Sequence, residues 1–151
     1  MTTLHSLIQS KPVFTVQHSA TVLEVARYIA EKNVGAVAVL EGMRLVGIFS
    51  ERDIITRVVA KQLDPKTVRV EQVMTKDLVV ADAIEGQESA LRKMKAANCR
   101  HLPVVSGETL LGVISLRDLL QVEITERDEK LEFLNSYLFH LPPDADKRGA
   151  T

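Results

Sequence analysis

The chain is written twice. Slid along itself by 65 residues, segment 11–55 falls on 76–120 without a gap, and ten of the 45 pairs are identical. Unrelated segments of ordinary composition would share about three. The identities include Asn33/Asn98, Gly42/Gly107, Gly47/Gly112, Ser50/Ser115, Arg52/Arg117 and Asp53/Asp118. Most other pairs keep apolar against apolar, as in Ile48/Val113. A repeat of this length constrains the fold more than any composition value does: the chain is two copies of one unit plus a tail. With 151 residues in all, neither copy has enough chain for a large core, so the two are expected to share one.

Each unit reads as β-α-β-β-α. An extended piece comes first, over 13–16 and again over 78–81. A helix follows. In the first unit it opens with the capping-box signature Thr21-Val-Leu-Glu24 and carries the apolar stripe Val22, Val25, Ala26 and Ile29. Ala90, Leu91 and Met94 form the stripe in the second unit. Strands at 36–40 and 45–49 turn at Gly42, and strands at 101–105 and 110–114 turn at Gly107. The later strand of each pair is almost wholly apolar, the pattern of a strand covered on both faces. A second helix closes each unit, over 54–59 and 119–124. Segment 63–67, with Asp64-Pro65, is the connector, and 70–75 reads as a short helix leading into unit two. The fold class is therefore α/β (α+β), with repeat domains over 6–63 and 71–125. A C-terminal helix over 126–141 has Leu131, Leu134, Leu138 and Leu141 at helical spacing, with Phe133 and Tyr137 nearby. Pro142-Pro143 ends it, and 142–151 is expected to be disordered.

Charge and composition narrow the partners. Nineteen Lys and Arg oppose twenty Asp and Glu, a net of −1. Segment 121–148 carries a net of −3, so the first 120 residues carry +2. A broad nucleic-acid groove needs a clear basic excess, and a single-strand platform needs aromatics. Aromatics are 4% here with no Trp, so nucleic acid is excluded as the expected partner. Cys99 is the one cysteine, which rules out an intrachain disulfide and a cysteine-rich zinc site. It fits a reducing compartment as a small buried hydrophobe. His5, His18 and His140 lack metal-ligand spacing, so no metal is expected. No apolar run reaches the roughly 18 residues of a membrane span, and the first residues lack a signal-type stretch. A cytoplasmic location without a membrane partner is expected.

The sequence Gly-Ile-Phe-Ser50-Glu51-Arg52-Asp53 recurs as Gly-Val-Ile-Ser115-Leu-Arg117-Asp118, each at the passage from an apolar strand into a helix. Backbone N–H groups and the helix dipole there favour anionic or oxygen-rich ligands. A hydroxyl and a carboxylate three residues apart lie on one side of the first turn and can share the two hydroxyls of a ribose. The same Ser-x-x-Asp is also a capping box that needs no ligand. A cap does not account for Arg52 and Arg117, because an Arg in the first turn opposes the dipole.

With these motifs, and with Val-Met-Thr75 and Arg100-His-Leu-Pro-Val104, the chain resembles a tandem pair of cystathionine-β-synthase (CBS) domains over about residues 6–124. It looks like the small stand-alone bacterial members that have a Ser-Glu-Arg-Asp first motif and a C-terminal helix. The resemblance implies two repeats packed about a pseudo-two-fold axis with two clefts between them. It implies ribose binding by Ser50 and Asp53 in one cleft and by Ser115 and Asp118 in the other. Backbone at Thr15–Val16 and Val79–Val80 would read the adenine edge. The strand starts Gly35-Ala36 and Arg100-His101-Leu102-Pro103 would line the slots. Arg52, Arg117, Arg100 and His101 are the phosphate candidates, with Glu51 inside the first motif, since Arg gives bidentate phosphate contacts. Arg100-His101 stands where the first repeat has Gly35-Ala36, so the Ser115/Asp118 cleft is expected to be the tighter one.

Three functions follow. The resemblance implies a sensor of AMP, ADP or ATP, with AMP first. The alternative sensor takes NAD, NADH or S-adenosylmethionine in the same clefts. The third is an interaction protein with vestigial clefts. No nucleophile-base pair, P-loop or dinucleotide fingerprint is present, so the chain is read as no enzyme. Output would pass to a target in trans. The family implies a disc-like homodimer, to which the C-terminal helix would add contact.

Overall fold

The 65-residue offset reappears as an offset in hydrogen-bond register. In the computed structural model, which describes residues 3–9 and 11–139, two three-stranded sheets follow the orders β1-β2-β3 and β4-β5-β6. In the first sheet, β1 (Thr15–Gln17) runs parallel to β2 (Ala36–Glu41), with Val16 beside Val39. β2 pairs antiparallel with β3 (Arg44–Ser50), with Ala36 opposite Ser50 and a register shift between Val39 and Leu40. In the second sheet, β4 (Ala81–Asp82) lies parallel to β5 (His101–Ser106), with Ala81 beside Val104. β5 pairs with β6 (Thr109–Ser115), with His101 opposite Ser115 and a shift between Val104 and Val105. Every one of these pairs maps onto its counterpart by adding 65.

Two of the identical pairs sit where the backbone demands them. Gly42 and Gly107 turn the hairpins at φ +63° and +62°, a region closed to most side chains. Asn33 and Asn98 end α2 (Val22–Lys32) and α5 (Gln87–Ala97) in the left-handed conformation, which Asn tolerates. The helix starts differ. Thr21 Oγ1 accepts the Glu24 N–H at 3.2 Å, the expected N-cap, whereas α5 begins at Gly86, which has no side chain to offer.

Two short helices connect the repeats by exchange. α1 (Leu4–Ile8), which the sequence reading leaves out, precedes the first repeat but packs on β6 of the second. Leu4 and His5 donate to the Glu85 and Ala83 carbonyls at 2.9 Å each. α4 (Val70–Val73) precedes the second repeat but packs on β3 of the first, with the Val70 N–H on the Ala20 carbonyl at 2.8 Å. The core of the first repeat comprises Val22, Val25, Ile29, Val37, Val39, Phe49 and Val58, closed by Val70, Val73 and Met74. None of its members comes from β4–β6. Both sheets lie in one compact unit, and the repeats exchange their lead-in helices. Gly47 and Gly112 make room for them. A Cβ on Gly47 would lie 2.4 Å from Met74 Sδ, and one on Gly112 would lie 3.3 Å from Ile8 Cβ. The equivalent strands β3 and β6 meet between the repeats, as a pseudo-two-fold relation requires.

The second helices diverge. α3 (Glu51–Asp53) continues as a π-helical stretch, Ile54–Val59. There Ala60 donates to the Ile55 carbonyl at 2.8 Å and Leu63 to the Val58 carbonyl at 2.9 Å, both five residues back. The sequence reading places two helices over 119–124 and 126–141; the structure has one, α6 (Leu116–Phe139). No Gly or Pro interrupts residues 116–139, so nothing stops the helix between them. Compact packing divides the chain into Met1–Leu116, which holds both sheets, and Arg117–Thr151. On α6, Leu131, Phe133, Leu134, Tyr137 and Leu138 are exposed. Leu141, Pro142-Pro143 and the expected disorder over 142–151 fall outside the described residues. No helix among the described residues is long and apolar enough to cross a membrane.

Candidate functional site

The first motif forms a complete capping box. Ser50, extended at φ −114° and ψ 163°, ends β3. Its Oγ accepts the Asp53 N–H at 3.2 Å, and Asp53 Oδ2 accepts the Ser50 N–H at 3.0 Å. The Glu51 N–H donates to the Gly35 carbonyl at 2.9 Å. Three backbone donors that the sequence reading offers to an anion are thus already used, which corrects the expectation of an open helix terminus. Asp53 Oδ1 lies 3.7 Å from Arg57 Nε, and Arg57 Nη1 reaches the Val73 carbonyl at 3.0 Å. Arg57 thereby ties the motif to the exchanged α4, a link the sequence reading misses. Its counterpart is Val122, so comparing the repeats would have marked it.

In the second repeat, the Leu116 N–H donates to the Arg100 carbonyl at 2.7 Å, the same closure as Glu51 on Gly35. Ser115 ends β6. Arg117 and Asp118 lie in the first turn of α6, Arg117 exposed and Asp118 half-buried.

The structure brings three candidates together across the repeats. A Cβ on Gly35 would lie 3.0 Å from His101 Nε2 and 3.8 Å from Glu51 Oε1. The imidazole of β5 therefore crosses to the first repeat, and Gly35 is small because His101 passes over it. Arg52 and Arg100 are exposed. Ala36, Leu102 and Pro103 are buried, so these three belong to the sheet interiors and not to an open slot surface.

The adenine-edge segments differ for a clear backbone reason. In the first repeat, the Ala38 N–H donates to the Phe14 carbonyl at 3.3 Å, and the strand begins at Thr15. The second repeat has Pro103 in place of Ala38 and Val79 in place of Phe14. Proline has no N–H, so the Val79 carbonyl is left off the ladder. Lys93, standing where the first repeat has Tyr28, donates from Nζ to the Val80 carbonyl at 2.9 Å. The second strand consequently begins at Ala81, with Val79 exposed beside it.

Lys93 also donates to Glu85 Oε2 at 2.8 Å. Burial alone would raise the Glu85 carboxyl, but bonds from Lys93, Ser89 and the Asp82 N–H outweigh it and hold it below its usual range. Burial pushes the Cys99 thiol up, against backbone N–H bonds from His101 and Cys99 itself.

An open cavity of about 340 Å³ lies elsewhere, lined by His18, Glu41, Val46, Glu71, Gln72, Met74 and Lys76. None of these belongs to the two Ser-x-Arg-Asp motifs. Its His18 Nδ1 and Glu71 Oε2 already pair with each other. Among the described residues, no group of three or more His, Cys, Asp or Glu is placed to hold a metal.

The CBS domain family model matches residues 6–60 and 70–124. A CBS domain-containing protein of Bacillus subtilis is 36% identical over 107 residues, 71% of this chain and 76% of its own length. Among solved structures, a CBS-domain protein from Burkholderia ambifaria superposes with a TM-score of 0.78 at 32% identity, covering 82% of this chain and 95% of its own. A CBS domain protein from Pyrobaculum aerophilum, complexed with AMP, gives 0.72 at 30% identity, covering 78% and 89%. Against four other curated relatives the chain spans less of their length, from 22% to 60%. CBS pairs are regulatory modules. With both halves matched, one on each sheet, this chain belongs to the CBS-domain family and carries two CBS domains in tandem.

Proposed function

We propose that the chain is a non-catalytic sensor that binds an adenosine phosphate, AMP first, in the cleft whose motif is Ser115-Leu-Arg117-Asp118. The observation that carries this reading is the Val79 carbonyl. Pro103 keeps it out of the sheet, so it remains an acceptor for an amino group such as that of adenine. Arg100, Arg117 and His101 supply positive or titratable groups for a phosphate, and Val80 and Leu102 support the slot from behind. The AMP complex of the Pyrobaculum relative supports the ligand class. In the first cleft, the completed Ser50–Asp53 box and the engaged Phe14 carbonyl favour the structural reading of that motif. The output is a change in contacts with a target, made by a cytoplasmic pair of chains. The exposed Leu131, Leu134 and Leu138 add to that assembly.

Calorimetry with AMP, ADP, ATP, NAD, NADH and S-adenosylmethionine tests this reading. AMP is expected to bind. A ligand present at 100 times its Kd also raises stability by roughly 2.7 kcal/mol. Asp118→Ala is expected to weaken AMP at least about tenfold, the effect of losing charge-assisted hydrogen bonds. Pro103→Ala, which gives the Val79 carbonyl a ladder donor, weakens it less, and Asp53→Ala leaves it nearly unchanged. Silence from all six ligands ends the sensor reading. Tighter binding of NADH or S-adenosylmethionine moves the ligand class. Loss with Asp53→Ala alone moves the cleft.

A further inference from the structure

The peptide that carries the Val79 carbonyl is steadied from outside its sheet. β4 is an edge strand of two residues, one fewer than β1, because Pro103 cannot donate to Val79. In the first repeat the Ala38 N–H on the Phe14 carbonyl holds the matching segment, and the Tyr28 ring packs edge-on against Phe14. The second repeat has neither contact. In Tyr28's place stands Lys93, whose Nζ donates to the Val80 carbonyl at 2.9 Å. Only the two soft dihedrals of Val80 separate that carbonyl from the Val79 carbonyl. A bond on one therefore restricts the direction of the other.

Lys93 is itself held in place. Its ammonium also donates to Glu85 Oε2 at 2.8 Å, and Glu85 is fixed in turn by the Ser89 hydroxyl and the Asp82 N–H. Ser89 and Lys93 lie four apart on one face of α5. The Lys93 and Glu85 side chains are 35% and 21% exposed, so the pair is set into the protein. A lysine kept for solubility alone leaves its ammonium in water. This one bonds a carboxylate and a backbone carbonyl, and that carbonyl adjoins the one that Pro103 strands.

We propose that Lys93, steadied by Glu85, is a positioning residue for the base of the bound nucleotide: it keeps the Val79 carbonyl presented to the amino group of adenine, and so selects an amino purine over an oxo purine. The inference rests on the reading above that an adenosine phosphate binds at that carbonyl. Lys93 acts through the backbone. An oxo purine places an acceptor where the amino group donates, so it meets the Val79 carbonyl oxygen to oxygen. Selection then depends on how firmly the carbonyl is held. The first repeat has its Phe14 carbonyl engaged and carries no lysine at this position.

Calorimetry of the full chain with AMP and with inosine monophosphate, its oxo counterpart, tests this. The wild type is expected to prefer AMP by at least about tenfold. Lys93→Met keeps the aliphatic stem and removes the donors. It is expected to weaken AMP by about fivefold and to leave inosine monophosphate within about twofold, so that the preference shrinks. Glu85→Gln loosens the lysine without removing it and is expected to weaken AMP by about threefold with the same selectivity. The ratio of the two ligands on one variant is insensitive to a general loss of stability. Parallel weakening of both ligands, or AMP binding that neither variant moves, overturns the positioning role while the sensor reading stands. A wild type that binds both ligands equally overturns the selection at Val79. Binding of neither overturns the sensor reading and this inference with it. If Lys93→Met fails to fold, the ratio for Glu85→Gln decides on the same terms.

Discussion

The two repeats share their backbone and differ in what hangs on it. Strand register, hairpin glycines, left-handed asparagine caps and the helix-opening closures on Gly35 and Arg100 coincide at a constant offset. The differences fall on side chains around those fixed points: Arg57 against Val122, Tyr28 against Lys93, Ala20 against Glu85, Ala38 against Pro103. At Gly42/Gly107 and Asn33/Asn98, identity tracks conformations that few residues can adopt. Divergence marks where one copy was free to acquire a polar network and the other an aromatic one, the Phe14–Tyr28 edge contact.

Substitutions at matched positions can break or sharpen this contrast. The largest expected difference lies at the exchange. Gly47→Ala drives a methyl into Met74, so urea unfolding is expected to show a loss of about 1–3 kcal/mol. Gly112→Ala meets Ile8 Cβ at 3.3 Å, a tight contact that a shift of a few tenths of an ångström relieves, and is expected to lose under about 1 kcal/mol. Equal losses would mean that both exchanged helices are packed alike.

A smaller effect is confined to acid. The Glu85 carboxyl titrates below its usual value of 4.5, so its contribution is fully present above that pH. It is lost as the pH falls through the lowered value. Glu85→Gln is expected to lower stability at neutral pH and to converge with wild type in acid, flattening that limb. Ala20 gives the first repeat no such dependence. A parallel offset at every pH would show that the residue acts through packing and not through its charge.

The smallest effect is expected at Cys99. Its counterpart is Val34, and its raised thiol suits a small apolar role. Cys99→Val is expected to move the urea midpoint by less than about 1 kcal/mol. A larger change would give the thiol a role of its own.

Much of the fold was legible because the constraint is local. Gly42, Asn33 and the Ser50–Asp53 cap are each decided by a few neighbouring residues, and a second copy of each removes most of the ambiguity. The lead-in helices were not legible in the same way. α1 has five residues and buries Leu4 and Ile8 against a strand more than 100 positions away, so no periodicity reveals it. The π-helical stretch after Asp53 also escapes pattern, because its apolar spacing suits an α-helix equally well. At the candidate site, the repeated Ser-x-Arg-Asp motif was plain in sequence. The effect of Pro103 on Val79 was not, since it requires knowing which carbonyl the missing N–H would have met. Seen beside Ala38 and Phe14, it becomes a difference of one hydrogen bond.

The crossed lead-in helices bear on ancestry and on dissection. Cut within segment 62–67, the chain would yield a front half missing Val70, Val73 and Met74 from its interior and a back half missing Leu4 and Ile8. Each fragment would hold the plug for the other's cavity, so the two should reassemble when mixed, although neither is complete alone. A single-repeat ancestor with the same arms could close its core only by trading them with a second molecule. Fusion of two such genes would turn that trade into an intramolecular one, leaving the fused chain as a domain-swapped dimer on a single thread.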